Sequence, residues 1–251
     1  MAIFRDENGR PEPPVITAAK RWFHAVTAHF TFCVCLGAAH CVSLAPCAVL
    51  LYLFGRMGGF LHLLGAVVLA GLPGAVWTAI HRMSRQLQFG HPVYLFREFW
   101  GYLRQNFRRG WLLGMVLALL WLLAASPLAA AERYQQPLPV PLVCLMGACA
   151  MVLTVVGEYA CYQLSRYELT VSAALKNGIL LIFSMGWRSI AVCLAWIALA
   201  VGLLLAGQIL LPVCLLCGLT VILCMTEQSF FAPRIDTLLT SDRSNEKENE
   251  T

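Results

Sequence analysis

The chain reads as an all-α membrane protein, a bundle of about six transmembrane helices with an interfacial amphipathic helix on its cytoplasmic side. Three observations carry that reading. Of 251 residues, 59% are hydrophobic and only 12% are charged, roughly half the charged share of soluble domains, so no soluble domain of useful size fits. The apolar residues gather in runs of about 20 or more, the length that crosses a bilayer. The basic residues cluster between those runs, as they do on cytoplasmic loops.

Residues 1–21 form a polar, proline-bearing tail in which Asp6, Glu7 and Glu12 alternate with Arg5 and Arg10. Lys20 and Arg21 then precede Trp22 and Phe23, a basic and aromatic anchor for an interface. The membrane domain occupies 22–231. Its first span runs over about 27–54 and bends at Pro46; it is too long for the apolar core of a cleavable signal and is expected to stay in the mature protein. The second covers about 60–81, with Pro73 between Gly71 and Gly74. The third covers 110–130. The fourth, 138–163, follows a turn containing Pro137, Pro139 and Pro141. A charge-free stretch over 189–226 is too long for one helix and just long enough for two, with a tight turn near 207–212. The remainder, 232–251, is polar and lacks apolar periodicity, as disordered tails do.

Charge orients the spans. Arg82, Arg85, Arg97, Arg104, Arg108 and Arg109 lie between the second and third, and Arg166, Lys176 and Arg188 between the fourth and fifth. The opposite loops hold Arg56 and Arg133. The positive-inside rule then places both basic loops, and both termini, in the cytoplasm. Span, basic segment and span occur twice, each basic segment closing on an Arg beside a Trp (Arg109 with Trp111, Arg188 with Trp187). A duplication and the ordinary likeness of any positive-inside hairpin bundle both account for that.

The richest segment is 93–109, VYLFREFWGYLRQNFRR. Phe96, Phe99, Trp100, Leu103 and Phe107 recur at helical spacing as an apolar and aromatic stripe. Arg97, Gly101, Arg104 and Arg108 recur on another face. A helix so divided suits a membrane surface, rings at the acyl boundary and guanidinium groups among phosphates. Three uses stay open for Arg97, Arg104, Asn106, Arg108 and Arg109: anchoring to anionic lipid, docking a cytoplasmic partner, or binding a phosphorylated solute. Basic residues clustered beside apolar runs point to the anionic leaflet and away from nucleic acid.

No residue pattern announces catalysis. Eleven cysteines fall almost wholly inside apolar runs and read as small hydrophobes. Cys214 and Cys217 make a C-x-x-C without a second ligand pair, short of the four ligands a zinc site needs. His29 and His40 are eleven residues apart, about 16 Å along a helix, too far to share an ion with each other, and His81 is expected to be satisfied separately. Ser43 and Ser126 lack a neighbouring base. No metal and no cofactor are expected. Glu158 is the most informative single residue, because an ionisable group inside a span must face protein or water. It serves either as a cation or proton site, paired with Arg166 or Arg188, or as a structural carboxyl bonded to Tyr162 or another helix. Glu227, at the inner end of the sixth span, is the less demanding case.

Residues 72–114, LPGAVWTAIHRMSRQLQFGHPVYLFREFWGYLRQNFRRGWLLG, resemble the YesL family of bacterial integral membrane proteins. The matching positions are Pro73, Ala79, Arg82, Phe96, Arg97, Phe99, Trp100, Asn106, Phe107 and Arg108. A second block, LSRYELTVSAALKNGILL, matches at Arg166, Tyr167, Glu168, Lys176 and Asn177. The resemblance implies a multi-pass protein of a bacterial plasma membrane, from a family often encoded beside carbohydrate uptake systems and without an established activity. It brings no catalytic residues. Two functions are therefore expected as alternatives. One is a non-enzymatic accessory or scaffold component that meets a membrane transport component or a cytoplasmic protein. The other is a small-solute transporter or channel working around Glu158.

Overall fold

The computed structural model describes residues 14–88, 94–135, 137–205 and 219–230. Among them every regular element is an α-helix. In chain order these are α1 (Pro14–Ala28), α2 (Phe30–Met57), α3 (Phe60–Leu69), α4 (Gly71–Gln88), α5 (Leu95–Tyr134), α6 (Val140–Arg166), α7 (Val171–Met185), α8 (Trp187–Leu205) and α9 (Leu219–Phe230). The protein is an all-α, multi-pass membrane bundle. Four segments are long and apolar enough to cross: Phe30–Met57, Phe60–Gln88, Arg97–Pro127 and Val140–Arg166. A fifth is added if α7 and α8, which meet at 109°, form one bent span. Residues 1–13, 206–218 and 231–251 lie outside the described set, and with them the turn near 207–212, Cys214, Cys217 and the C-terminal tail.

The first four spans follow the apolar runs closely, and the differences have local causes. The described part of α1, Pro14–Ala28, reaches into the polar tail. α2 runs on through Pro46. It ends where Gly58 takes φ 67°, its N–H bonded to the Phe54 carbonyl, a left-handed cap that glycine adopts without steric penalty. The second span is split after Leu69, four residues before Pro73, whose missing N–H leaves that carbonyl without its helical donor. It also continues to Gln88, about two turns past His81.

The amphipathic segment and the third span are one helix. α5 has 40 residues without interruption, about 60 Å against a hydrocarbon core of about 30 Å. At that length part of α5 extends beyond the hydrocarbon, and its charged part, Arg97–Arg109, lies on the side where α4 and α6 also end. That side carries Arg82, Arg85, Arg97, Arg104, Arg108 and Arg166, the basic rim that the loop charges indicate.

α4 and α5 touch along a seam of small residues. A Cβ on Gly74 would stand 2.6 Å from the Gly110 carbonyl oxygen, and one on Gly110 would stand 2.7 Å from Ala75 Cα. A Cβ on Gly114 would collide with the Ala70 carbonyl. Gly110 and Gly114 form a G-x-x-x-G pair, which lets two backbones approach where lipid supplies no hydrophobic drive for association.

α7 returns beside α6, with Gly178 set against the Val156 carbonyl. At Gly186, φ 53° and ψ −121° turn the chain into α8. The Ser189 hydroxyl there donates to the Ile182 carbonyl and meets the Tyr159 hydroxyl at 2.9 Å. Arg188 thus sits beside a contact made seven residues, about 10 Å, before Arg166 along α6, deeper than a rim loop would hold it. The two basic segments of the apparent repeat also differ in form: one lies within a single helix, and the other crosses the Gly186 bend. α9 is described over 12 residues. It packs on α1, α2 and α4. Met225 accepts from Gln88 while Gln228 reaches His81, so α9 runs antiparallel to α4 and away from the rim.

Candidate functional site

Two groups of polar residues meet where α4, α5 and α6 converge. The deeper one centres on Glu158, which is 7% exposed. A single carboxylate oxygen, Oε2, accepts from Trp77 Nε1 at 3.1 Å and lies 3.0 Å from His81 Nε2. The other ring nitrogen, His81 Nδ1, is 3.1 Å from Gln228 Nε2. A proton on Nε2 completes this chain: the Gln228 amide donates to Nδ1, and Nε2–H donates to the carboxylate. Trp77 and His81 are four residues apart and share one face of α4, their rings edge to face at 5.3 Å. His40 of α2 packs on the other side of Trp77, ring centroids 5.0 Å apart. One carboxylate therefore ties α6 to α4, and through His81 to α9.

The bonds that Glu158 makes run to Trp77 and His81 of another helix. Neither Arg166 nor Arg188 is its partner in these bonds. His81 is not satisfied separately but is part of this network. Ser43 and Ser126 donate back to the carbonyls of His40 and Leu123 within their own helices. Among the described residues no group of three or more His, Cys, Asp or Glu side chains could hold a metal ion.

The second group lies one turn toward the rim. A cleft of about 420 Å3 is lined by Arg82, Arg85, Gln86, Tyr102, Tyr162, Ser165 and Arg166. Arg82 leaves α4, stacks over the Tyr102 ring of α5 at 4.3 Å and donates to the Ser165 carbonyl of α6 at 3.1 Å. That carbonyl belongs to the last turn of α6, where no helical donor remains and a cation suits the helix dipole. Gln86 bonds the Tyr102 hydroxyl. Arg166 donates to the Tyr162 hydroxyl at 2.8 Å, and Arg85 reaches the same hydroxyl.

The residues singled out on α5 divide between two faces, and not along the expected aromatic stripe. Phe99, Leu103 and Asn106 are buried together with Gly110 and Leu113 on the inner face of the helix. Half a turn away, Arg97, Trp100, Arg104, Phe107 and Arg108 are exposed, Trp100 by 63%. Arg109 is half-buried. Of Phe96 only the backbone, in the first turn of α5, is described. The rings thus split into an inner set and an outer set mixed with guanidinium groups. A two-faced pattern in sequence marks amphipathicity but does not say which face meets protein.

Trp77, Arg82, Arg85 and Gln228 escaped sequence reasoning as site residues. The i, i+4 pair of Trp77 and His81 was a usable signal once an intramembrane carboxyl required donors. Arg166 was expected beside Glu158 and not beside Arg82 and Arg85, since nothing along the sequence shows that it folds back next to them.

Comparison with known proteins gives one family. Its model, described as a protein of unknown function, DUF624, matches residues 47–126, about a third of the chain. No curated protein and no solved structure matches the chain. The matched stretch runs from the second half of α2 to the last part of α5, so it contains the glycine seam, Trp77, His81, Arg82, Arg85 and the whole basic segment of α5, while Glu158 and Arg166 fall outside it.

Proposed function

We propose that this protein is a YesL-like, non-catalytic accessory or scaffold component of a bacterial plasma membrane, linked to carbohydrate uptake or utilisation, and that it docks a partner through the outer face of α5. One observation carries the reading: Arg97, Trp100, Arg104, Phe107 and Arg108 are exposed together on the face turned away from the protein. Exposed aromatic rings interleaved with arginine have the composition of interface hot spots. The placement of Arg97–Arg109 on the side of the basic rim presents that face to a transport component or a cytoplasmic protein, with lipid phosphates flanking it. The positive-inside rule puts the rim, and the N-terminal segment beside it, in the cytoplasm. The carbohydrate link comes from the YesL resemblance alone.

Crosslinking in native membranes followed by mass spectrometry tests this. A specific partner should be captured by the unaltered chain and lost when Arg104→Glu and Arg108→Glu are combined. An unchanged partner list would sink the proposal.

Small-solute transport around Glu158 is a second reading, and the buried pair of Glu158 with His81 inside the bundle is what favours it. It requires a flux through proteoliposomes that Glu158→Gln abolishes. If no flux depends on residue 158, that reading fails.

A further inference from the structure

We propose that the cleft between α4, α5 and α6 is a binding site for a phosphate monoester, either the headgroup of a phosphatidic acid or a free phosphorylated solute. The site is distinct from the outer face of α5 and does not depend on the docking role given to that face.

The chemistry of the lining is one-sided. Among the described residues, seven line the cleft and contribute three guanidinium groups, two phenols, an amide and a serine, and no carboxylate. Arg85 and Arg166 both approach the Tyr162 hydroxyl. Two like charges brought to one neutral atom repel each other, and a dianion between them would turn that repulsion into two charge-assisted contacts. Guanidinium groups suit phosphate because their forked donors match its oxygens two at a time.

The arginines are also arranged in advance of any ligand. Arg82 is fixed by contacts to two other helices, the Tyr102 ring and the Ser165 carbonyl. The frame beneath is fixed by the bonds of Glu158 to Trp77 and His81, His81 adjoining Arg82 in sequence and Tyr162 lying one turn from Glu158. Preorganisation of this kind lowers the ordering cost that a loose cluster of surface arginines incurs on binding. A volume of about 420 Å3 exceeds what bare phosphate fills and falls within the roughly 300–1,000 Å3 of small-molecule sites. That favours an esterified phosphate over the inorganic ion. At the rim the cleft is within reach of both sources: lipid headgroups at the interface and solutes in the adjoining water.

The test uses the full chain in phosphatidylcholine nanodiscs, with thermal unfolding and calorimetry as readouts. Glycerol phosphate is titrated as the soluble probe, glycerol as its neutral control, and a parallel set of nanodiscs contains phosphatidic acid. Saturable binding of glycerol phosphate, weakening with salt and absent for glycerol, identifies a solute site. Stabilisation by phosphatidic acid alone identifies a headgroup site. In either arm Arg85→Gln or Arg166→Gln should weaken binding about ten- to hundredfold, the loss of one charge-assisted contact. Arg104→Gln, on the outer face of α5, should leave it unchanged. Failure of the unaltered protein to bind either phosphate source overturns the proposal, without reliance on any variant folding. So does equal weakening by Arg104→Gln and Arg85→Gln, which would reveal diffuse charge attraction. Loss of the crosslinked partner on charge reversal of α5, with phosphate binding intact, would show that the two roles are separate.

Discussion

Glu158 shows how a carboxylate can stay within a span. Its Oε2 receives the indole N–H of Trp77 and the imidazole of His81, and an ionised group in low dielectric needs such partners. Replacing it by alanine leaves two buried donors without acceptors. Glu158→Ala is expected to cost about 3 kcal/mol or more, whereas Glu158→Gln keeps one acceptor oxygen and should cost about half as much. Unfolding in mixed micelles, followed by circular dichroism, separates the two; equal effects would contradict the network. The need for a partner was legible in the sequence, but its identity was not. Trp77 and His81 lie about eighty residues from Glu158 along the chain, and helical periodicity relates only positions a few turns apart. The same limit hid the cleft, since Arg82 and Arg166 become neighbours only once α4 and α6 are packed.

Among the elements, the α4–α5 hairpin is the best defined by sequence in kind and the least in detail. The apolar runs locate both helices, and the residue pattern of α5 marks it as two-faced. Which face is buried is decided by Gly110 and Gly114, whose spacing was present in the sequence as a G-x-x-x-G. The seam leaves no room for a methyl group. Gly114→Ala should therefore destabilise the fold by about 1–3 kcal/mol, the usual cost of overpacking. Gly101 lies on the outer face of the same helix with nothing within 4 Å of its virtual Cβ. Gly101→Ala should instead be neutral or stabilising by about 0.5–1 kcal/mol, through helix propensity. Thermal unfolding of both variants in one detergent makes the comparison; a destabilising Gly101→Ala with a silent Gly114→Ala would invert the assignment of faces.

At the level of the molecule, alternating spans place the Arg104 rim and the α5–α6 turn at opposite sides of the membrane. A membrane-impermeant thiol reagent should label Arg104→Cys in inverted vesicles and Tyr134→Cys in right-side-out vesicles, each above the background of the native cysteines. Labelling of both from one side would overturn the topology. Composition, run length and charge clustering already specify this arrangement through α6. Beyond it the sequence loses resolution, because 189–226 is uniformly apolar and carries no charge to mark a boundary. Among the described residues the chain bends at Gly186, ahead of the charge-free run, where a backbone of φ 53° and ψ −121° is open to glycine; the turn expected near 207–212 lies outside them.

The unbroken run of α5 has a mechanical consequence. Between Arg97 and Pro127 the helix runs for 31 residues and behaves as a rod, with its tip at Arg97 and its middle gripped by α4 at Gly110 and Gly114. The glycine seam is then a fulcrum. A load on the tip arrives as tilt of α5 against α4, the helix that carries Trp77 and His81.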